Sequence, residues 1–160
     1  MPVMHNCFLE LARESLQHNG EQWTRNAISR SYYGMYHSAL RITNNLTPTH
    51  DTDGERLPGG SHMRLYTAFC NGEAAKVNGV DVDKVRKIGI KLKMLHAQRV
   101  NADYRLERKI NRITAISALQ DAEEIDALVD RMMNNPDDSL PAYGMTTIPS
   151  PLMSGFFYVW

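Results

Sequence analysis

The chain has 160 residues, 18 of them basic and 18 acidic, for a formal net charge of zero. That length fits one domain with a single proper core, and no apolar run approaches the roughly 20 residues needed to span a bilayer. Met1-Pro2-Val3-Met4-His5 has neither a basic region nor an apolar signal-like stretch, so a cytoplasmic protein without a membrane association is expected. Cys7 and Cys70 lie in different helical patterns without CxxC spacing, and read as buried thiols.

Charge is unevenly placed. Residues 84–112 carry Lys84, Arg86, Lys87, Lys91, Lys93, Arg99, Arg105, Arg108, Lys109 and Arg112 against Asp103 and Glu107 alone. Residues 113–160 carry Arg131 against Asp121, Glu123, Glu124, Asp126, Asp130, Asp137 and Asp138. Two readings are open. The basic stretch suits a polyanion such as RNA, with Lys84, Lys87 and Lys91 on a wet face. Alternatively it pairs with the acidic helix that follows it.

In chain order, a first helix is expected from about Val3 to His18, with Met4, Phe8, Leu11, Ser15 and Leu16 on its apolar face and Asn19-Gly20 ending it. The central helix follows, from Glu21 or Trp23 to Thr43. Ile28, Tyr32, Met35, Ala39 and Ile42 recur in steps of four, three, four and three, which makes one apolar stripe. Tyr33, Tyr36 and Leu40 make a second stripe, and Arg30, Gly34, His37 and Arg41 a third. A helix with so little idle surface belongs in the middle of a bundle. Gly34 within it costs about 1 kcal/mol relative to alanine, which points to a close approach by another backbone or a bulky group. A second subunit on the Arg30/His37 side is expected, with Gly34 near the two-fold axis.

Residues 44–60 are rich in turn formers and read as a long loop. His50, Asp51, Asp53 and His62 have no spacing that fixes a metal geometry, and no metal or other cofactor is expected. Ser61 is the expected N-cap of a third helix through about Gly72, with Met63, Tyr66, Phe69 and Cys70 turned inward. Asp81 or Asp83 caps a fourth helix reaching Tyr104, with Val85, Ile88, Leu92 and Leu95 in the core register and Arg99 where a further core residue belongs. A fifth helix runs from about Thr114 to Asn134, where Asn134-Asn135-Pro136 stops it. Residues 1–134 therefore form one all-α, up-and-down bundle of four to five helices. Residues 135–160, rich in proline and ending in Phe156-Phe157-Tyr158-Val159-Trp160, are expected to dock on the bundle or on a partner.

Two segments together carry a family likeness. Ala27-Ile28-Ser29-Arg30-Ser31-Tyr32-Tyr33-Gly34-Met35-Tyr36-His37 resembles the second-helix signature of HEPN domains. Leu95-His96-Ala97-Gln98-Arg99-Val100-Asn101-Ala102-Asp103-Tyr104 resembles their later Arg-x-x-Ala-Asp-Tyr signature, with Ser61-His62 and Phe69 between. The likeness spans roughly residues 3–134. It implies a helical bundle that dimerises through its central helices and binds RNA or nucleotides. Many such proteins are metal-independent ribonucleases in toxin–antitoxin, CRISPR or phage-defence systems, and others accompany small nucleotidyltransferases.

The ribonuclease members use an arginine followed after four to six residues by a histidine. The arginine binds phosphate through paired donors, and the histidine moves protons near neutral pH. Here Arg99 takes the arginine position, and Tyr104 stands where histidine belongs. Tyrosine titrates near 10 and is a poor proton shuttle. Asp103, four residues after Arg99, is placed to neutralise it. His96, three residues before Arg99, shares its face. His37 follows Arg30 at the family spacing, but on the central helix.

Arg99, His96, Tyr104 and Asp103 are thus the candidate catalytic set, and Arg30, His37, Lys84, Lys87 and Lys91 the candidate RNA- or nucleotide-binding set. The expectation is an RNA-acting dimer with a degenerate ribonuclease site. The alternative is a non-catalytic regulatory partner of a nucleotidyltransferase or toxin.

Overall fold

The structure, a computed structural model, describes residues 2–134. The expected docking of residues 135–160 lies outside the described residues. Five helices follow in order: α1 (His5–Ser15), α2 (Glu21–Leu40), α3 (Ser61–Cys70), α4 (Val82–Tyr104) and α5 (Arg112–Asn134). The described residues are all-α, as the sequence predicts. No helix among them is long and apolar enough to cross a membrane.

α2 is the centre, packing against α1, α4 and α5, while α3 packs on α4. The stripe read from its spacing is sealed: Ile28, Met35, Ala39 and Ile42 are 0% exposed and Tyr32 1%. Around it stand Phe69 and Leu65 of α3, Val85, Ile88 and Leu92 of α4, and Ile125 and Val129 of α5. After Leu40 the chain tightens into a 3₁₀ turn, Arg41–Thr43, and Asn44 and Asn45 leave it at positive φ. This left-handed exit is one that asparagine tolerates.

Several boundaries and faces differ from expectation. α1 ends at Ser15, and its buried side is Leu9, Ala12 and Ser15, whereas Leu11 and Met4 are exposed. Gly34 explains the shift. Its missing Cβ makes room for Leu9, whose Cδ2 lies 2.5 Å from where that carbon would be. The close approach that the glycine permits is therefore made by α1 of the same chain, and Gly34 does not stand open at a two-fold axis.

Ser61 does not cap α3. Gly60 is the N-cap residue and no side chain caps the helix. Met63 is exposed, with Leu65 and Ala68 buried in its place. Asp81 does cap α4, accepting from the backbone N–H of Lys84 at 2.8 Å. Gly89 of α4 lets α3 come against it backbone to helix, since a Cβ there would lie 2.5 Å from the Cys70 nitrogen.

The basic and acidic segments meet within the chain. Lys87 Nζ pairs with Glu124 and Lys91 Nζ with Asp121, each at 2.7 Å. Both lysines thus pair with α5, the alternative reading of the basic stretch, while the Lys87 side chain stays 53% exposed.

Candidate functional site

Three helices bring aromatic rings, histidines and two arginines to one locus. α2 supplies Ser29, Arg30, Tyr32, Tyr33 and His37, α3 supplies His62 and Tyr66, and α4 supplies His96, Arg99, Asp103 and Tyr104. The central position of α2 does this: its buried stripe fixes Tyr32, and the residues beside that stripe emerge between α1, α3 and α4.

Arg99 is the hub. Its side chain is only 11% exposed, and Nε lies 3.1 Å from Asp103 Oδ2 one turn later. The ion pair is close but misaligned, and Nε has no hydrogen-bond partner. Nη2 donates to Tyr33 Oη at 2.5 Å. The guanidinium also lies over the rings of Tyr33 (5.3 Å), Tyr104 (5.4 Å) and Tyr32 (5.9 Å). Burial opposes its charge, but Tyr33, Tyr104 and Asp103 together outweigh burial and raise its pKa further.

Arg30 sits on the same Tyr33 ring, also at 5.3 Å, and over Phe8 at 5.9 Å. It donates through Nη2 to Ser29 Oγ (3.3 Å), which itself donates to Asp103 Oδ2 (3.2 Å). Its Nε, like that of Arg99, is buried without a hydrogen-bond partner. Two guanidinium groups therefore converge on one ring.

The histidines stand beside this pair. His62 Nδ1 is 2.7 Å from Tyr32 Oη. Burial, followed by the charge of Tyr36, raises the Tyr32 pKa far above its usual range, so the phenol stays protonated. If His62 donates to Tyr32 from Nδ1, its Nε2 holds an open lone pair. His62 stacks on His96 with centroids 5.6 Å apart, and His96 packs against Tyr32 (5.4 Å) and Tyr66 (5.7 Å). Burial lowers the pKa of both, with Arg99 adding to the effect on each and His96 to that on His62. Both rings are therefore neutral near pH 7.

His37 lies on the far side of Tyr36 and stacks flat on Phe8, centroids 5.3 Å and planes 8° apart. Burial, then His5, lowers its pKa.

The structure thus brings together Arg99, His96, Asp103 and Tyr104, with Arg30 beside them and His37 at the edge. Tyr104 is 66% exposed and touches the site with its ring. Lys84, Lys87 and Lys91 are not part of it. At 1.5 Å rise per residue, Lys84 stands about 22 Å and Lys91 about 12 Å along α4 from Arg99.

The sequence analysis places His62 at the start of the third helix but gives it no part in this site. The signal was its helical register with Tyr66 and Phe69, four and seven residues on. Its former companions stay local: Asp51 Oδ1 accepts from the backbone N–H groups of Asp53 and Glu55.

One group among the described residues has ligand atoms close enough for a metal: His5, Asp126 and Asp130, within 4.8 Å of one another. Arg41 already occupies it, with Nη2 2.6 Å from Asp130 and Nη1 3.6 Å from Asp126, while Ser38 Oγ donates to Asp126 at 2.6 Å. The group is an ion-paired tie between α2, α1 and α5.

No family model matches the chain, and no curated protein or solved structure matches it either.

Proposed function

We propose that the chain is an HEPN-type RNA-binding protein, with Arg99 and Arg30 as its phosphate anchor and the His62–His96 pair as a residual proton-transfer element. The observation that carries this reading is the convergence of both guanidinium groups on the one Tyr33 ring. Paired guanidinium groups suit the oxygens of a phosphodiester.

The half-buried face of Phe8, Tyr33, His37, His62, Tyr66 and His96 is where a second copy packs. Two-fold closure then sets two arginine sites opposite each other.

A reaction at this site needs no metal. A neutral histidine takes the 2′-hydroxyl proton, the oxygen attacks the adjacent phosphorus, and the arginines hold the developing charge. The histidine, now protonated, gives that proton to the departing 5′-oxygen, and cyclic-phosphate and 5′-hydroxyl ends result. Activity is expected to be weak, because Asp103 competes with phosphate for Arg99 and Tyr104 replaces the family histidine.

A second reading, a non-catalytic partner of a nucleotidyltransferase or toxin, is favoured by the same Arg99–Asp103 pair. Fluorescence anisotropy with single-stranded RNA tests the reading. Affinity that falls steeply with salt in the wild type, and is lost in Arg99→Ala of unchanged fold, supports it. Absence of RNA binding leaves the partner reading.

A further inference from the structure

The connector from α4 to α5 reads Arg105-Leu106-Glu107-Arg108-Lys109-Ile110-Asn111 and runs into Arg112. Arg105, Arg108, Lys109 and Arg112 are all exposed, with Glu107 as the one acid among them. Among the described residues none of these four cations is ion-paired with a carboxylate. Lys87 and Lys91, by contrast, are taken up by α5. Glu21, whose Oε1 accepts from the Ile110 N–H, is already held by Arg25 Nε and Nη2 at 3.0 and 2.7 Å. The positive charge of the connector therefore stays open to solvent.

The connector is fixed from beneath by its backbone. Arg25 Nη1 donates to the Ala102 carbonyl at 2.9 Å, and Nη2 donates to the Arg108 carbonyl. Arg112 ties the start of α5 to the end of α1 by donating to the His18 carbonyl at 3.1 Å and to the Leu16 carbonyl. The side chains of Arg105, Arg108 and Lys109 take no part in these ties. Exposed rings stand at both ends. His18 stacks on Trp23, centroids 4.3 Å apart, and Trp23 is 37% exposed. At the other end the Tyr104 ring lies over Arg99, and Arg105 is the next residue.

We infer that this surface binds single-stranded RNA, with Arg105, Arg108 and Lys109 on successive phosphates and Trp23 stacked on an unpaired base. Proteins that hold single strands join a basic track to exposed rings on which bases stack. A duplex offers the phosphates but keeps its bases paired and stacked, which leaves Trp23 nothing to cover. The inference rests on the RNA reading above and carries the strand from the Arg99 site across Tyr104 to the connector.

The test is fluorescence anisotropy of labelled single-stranded oligouridylate with the full chain over a range of salt concentrations. Arg105→Gln, Arg108→Gln and Lys109→Gln should each make the slope of log affinity against log salt shallower by about 0.7, and the triple variant by about 2. Trp23→Ala should weaken binding by about tenfold with the slope unchanged. In Trp160→Phe, where Trp23 is the remaining tryptophan, oligouridylate should quench the emission. A wild-type slope retained by the triple variant overturns the inference and leaves the Arg99 anchor standing. So does emission from Trp23 that RNA leaves unchanged, or double-stranded RNA of the same length bound as tightly as the single strand. Affinity that needs the connector but ignores Arg99→Ala supports this surface and removes the anchor. Absence of RNA binding by the wild type overturns both.

Discussion

Leu9 occupies the space that a side chain at Gly34 would need. An added Cβ would lie 2.5 Å from Leu9 Cδ2, and α1 docks on α2 through this pair. Gly34→Ala gains about 1 kcal/mol of helix propensity and loses about 1–3 kcal/mol to overpacking. Because the clash is with the end of a flexible side chain, the net loss should be small. Combining it with Leu9→Ala should cost less than the sum of the two single changes, since each removes the other's difficulty.

Gly89 makes the informative contrast. There a Cβ would meet backbone, at 2.5 Å from the Cys70 nitrogen and 2.7 Å from the Phe69 carbonyl carbon. Gly89→Ala should therefore destabilise by the upper end of the overpacking range, about 3 kcal/mol. No single side-chain truncation should rescue it. Urea denaturation of the four variants measures the whole set, and a Gly89→Ala protein as stable as Gly34→Ala would refute the close α3–α4 packing.

The long stripe of α2 was legible because five apolar residues recur at helical spacing with nothing competing for the role. α1 was not legible in the same way. Met4, Phe8, Leu9 and Leu11 offer more apolar positions than one short helix buries, and only Gly34 on the neighbouring helix selects Leu9. The candidate site divides similarly. Arg99 stood out as a charge in a core register, and Asp103 and His96 followed from helical geometry. His62 comes from another helix, and its contact with Tyr32 depends on how α3 packs, which no local spacing encodes. Lys87 and Lys91 were legible as charges but not as partners, because their acids lie on α5.

Those two lysines support a second prediction. Lys87→Glu and Lys91→Glu should each lower stability, by less than about 1 kcal/mol for pairs this close to solvent. The exchange Lys91→Glu with Asp121→Lys should restore most of the loss. The salt dependence of RNA binding should be unchanged in all three proteins, since these ammonium groups are already paired within the chain. A slope that becomes shallower on charge reversal would return the lysines to the RNA surface.

Stability should also fall on mild acidification. Burial holds the pKa of His37, His62 and His96 below the ordinary value of 6.5. The unfolded chain then binds more protons than the folded one as pH falls below 6.5, so folding loses free energy in that range. The contribution of these groups is fully present above 6.5 and disappears as pH drops through their folded values. Glu21 and Glu124 have pKa values lowered from 4.5, chiefly by hydrogen bonds from Arg25 and Lys87, and act in a separate, more acidic window. Thermal melts between pH 7.5 and pH 5 should therefore show a loss that shrinks in the double variant His62→Gln, His96→Gln. A melting temperature flat across that range would contradict the burial of the histidine stack.

The chemistry gives the last prediction. General acid–base catalysis typically contributes about 10²–10⁴ in rate, and here Tyr104 stands where the resembling family keeps its histidine. Wild type should cleave single-stranded RNA slowly with chelator present, leaving cyclic-phosphate ends. Arg99→Ala should abolish cleavage, and His62→Ala and His96→Ala should each reduce it. Arg99→Ala must be read beside its stability, because removing one member of a buried pair leaves the other uncompensated and can cost about 3–5 kcal/mol. Asp103 is only part-buried, at 29% side-chain exposure, so the loss should fall below that range. Asp103→Asn separates the roles. It frees Arg99 from its carboxylate while keeping an acceptor for Ser29, so RNA affinity and cleavage should both rise if the pair restrains the site. Tyr104→His should also raise cleavage, by restoring a group that titrates near neutrality on a ring already over Arg99. Cleavage that survives the loss of Arg99, His62 and His96 in turn would place the chemistry elsewhere. An inert wild type that neither Asp103→Asn nor Tyr104→His awakens would favour the non-catalytic partner reading.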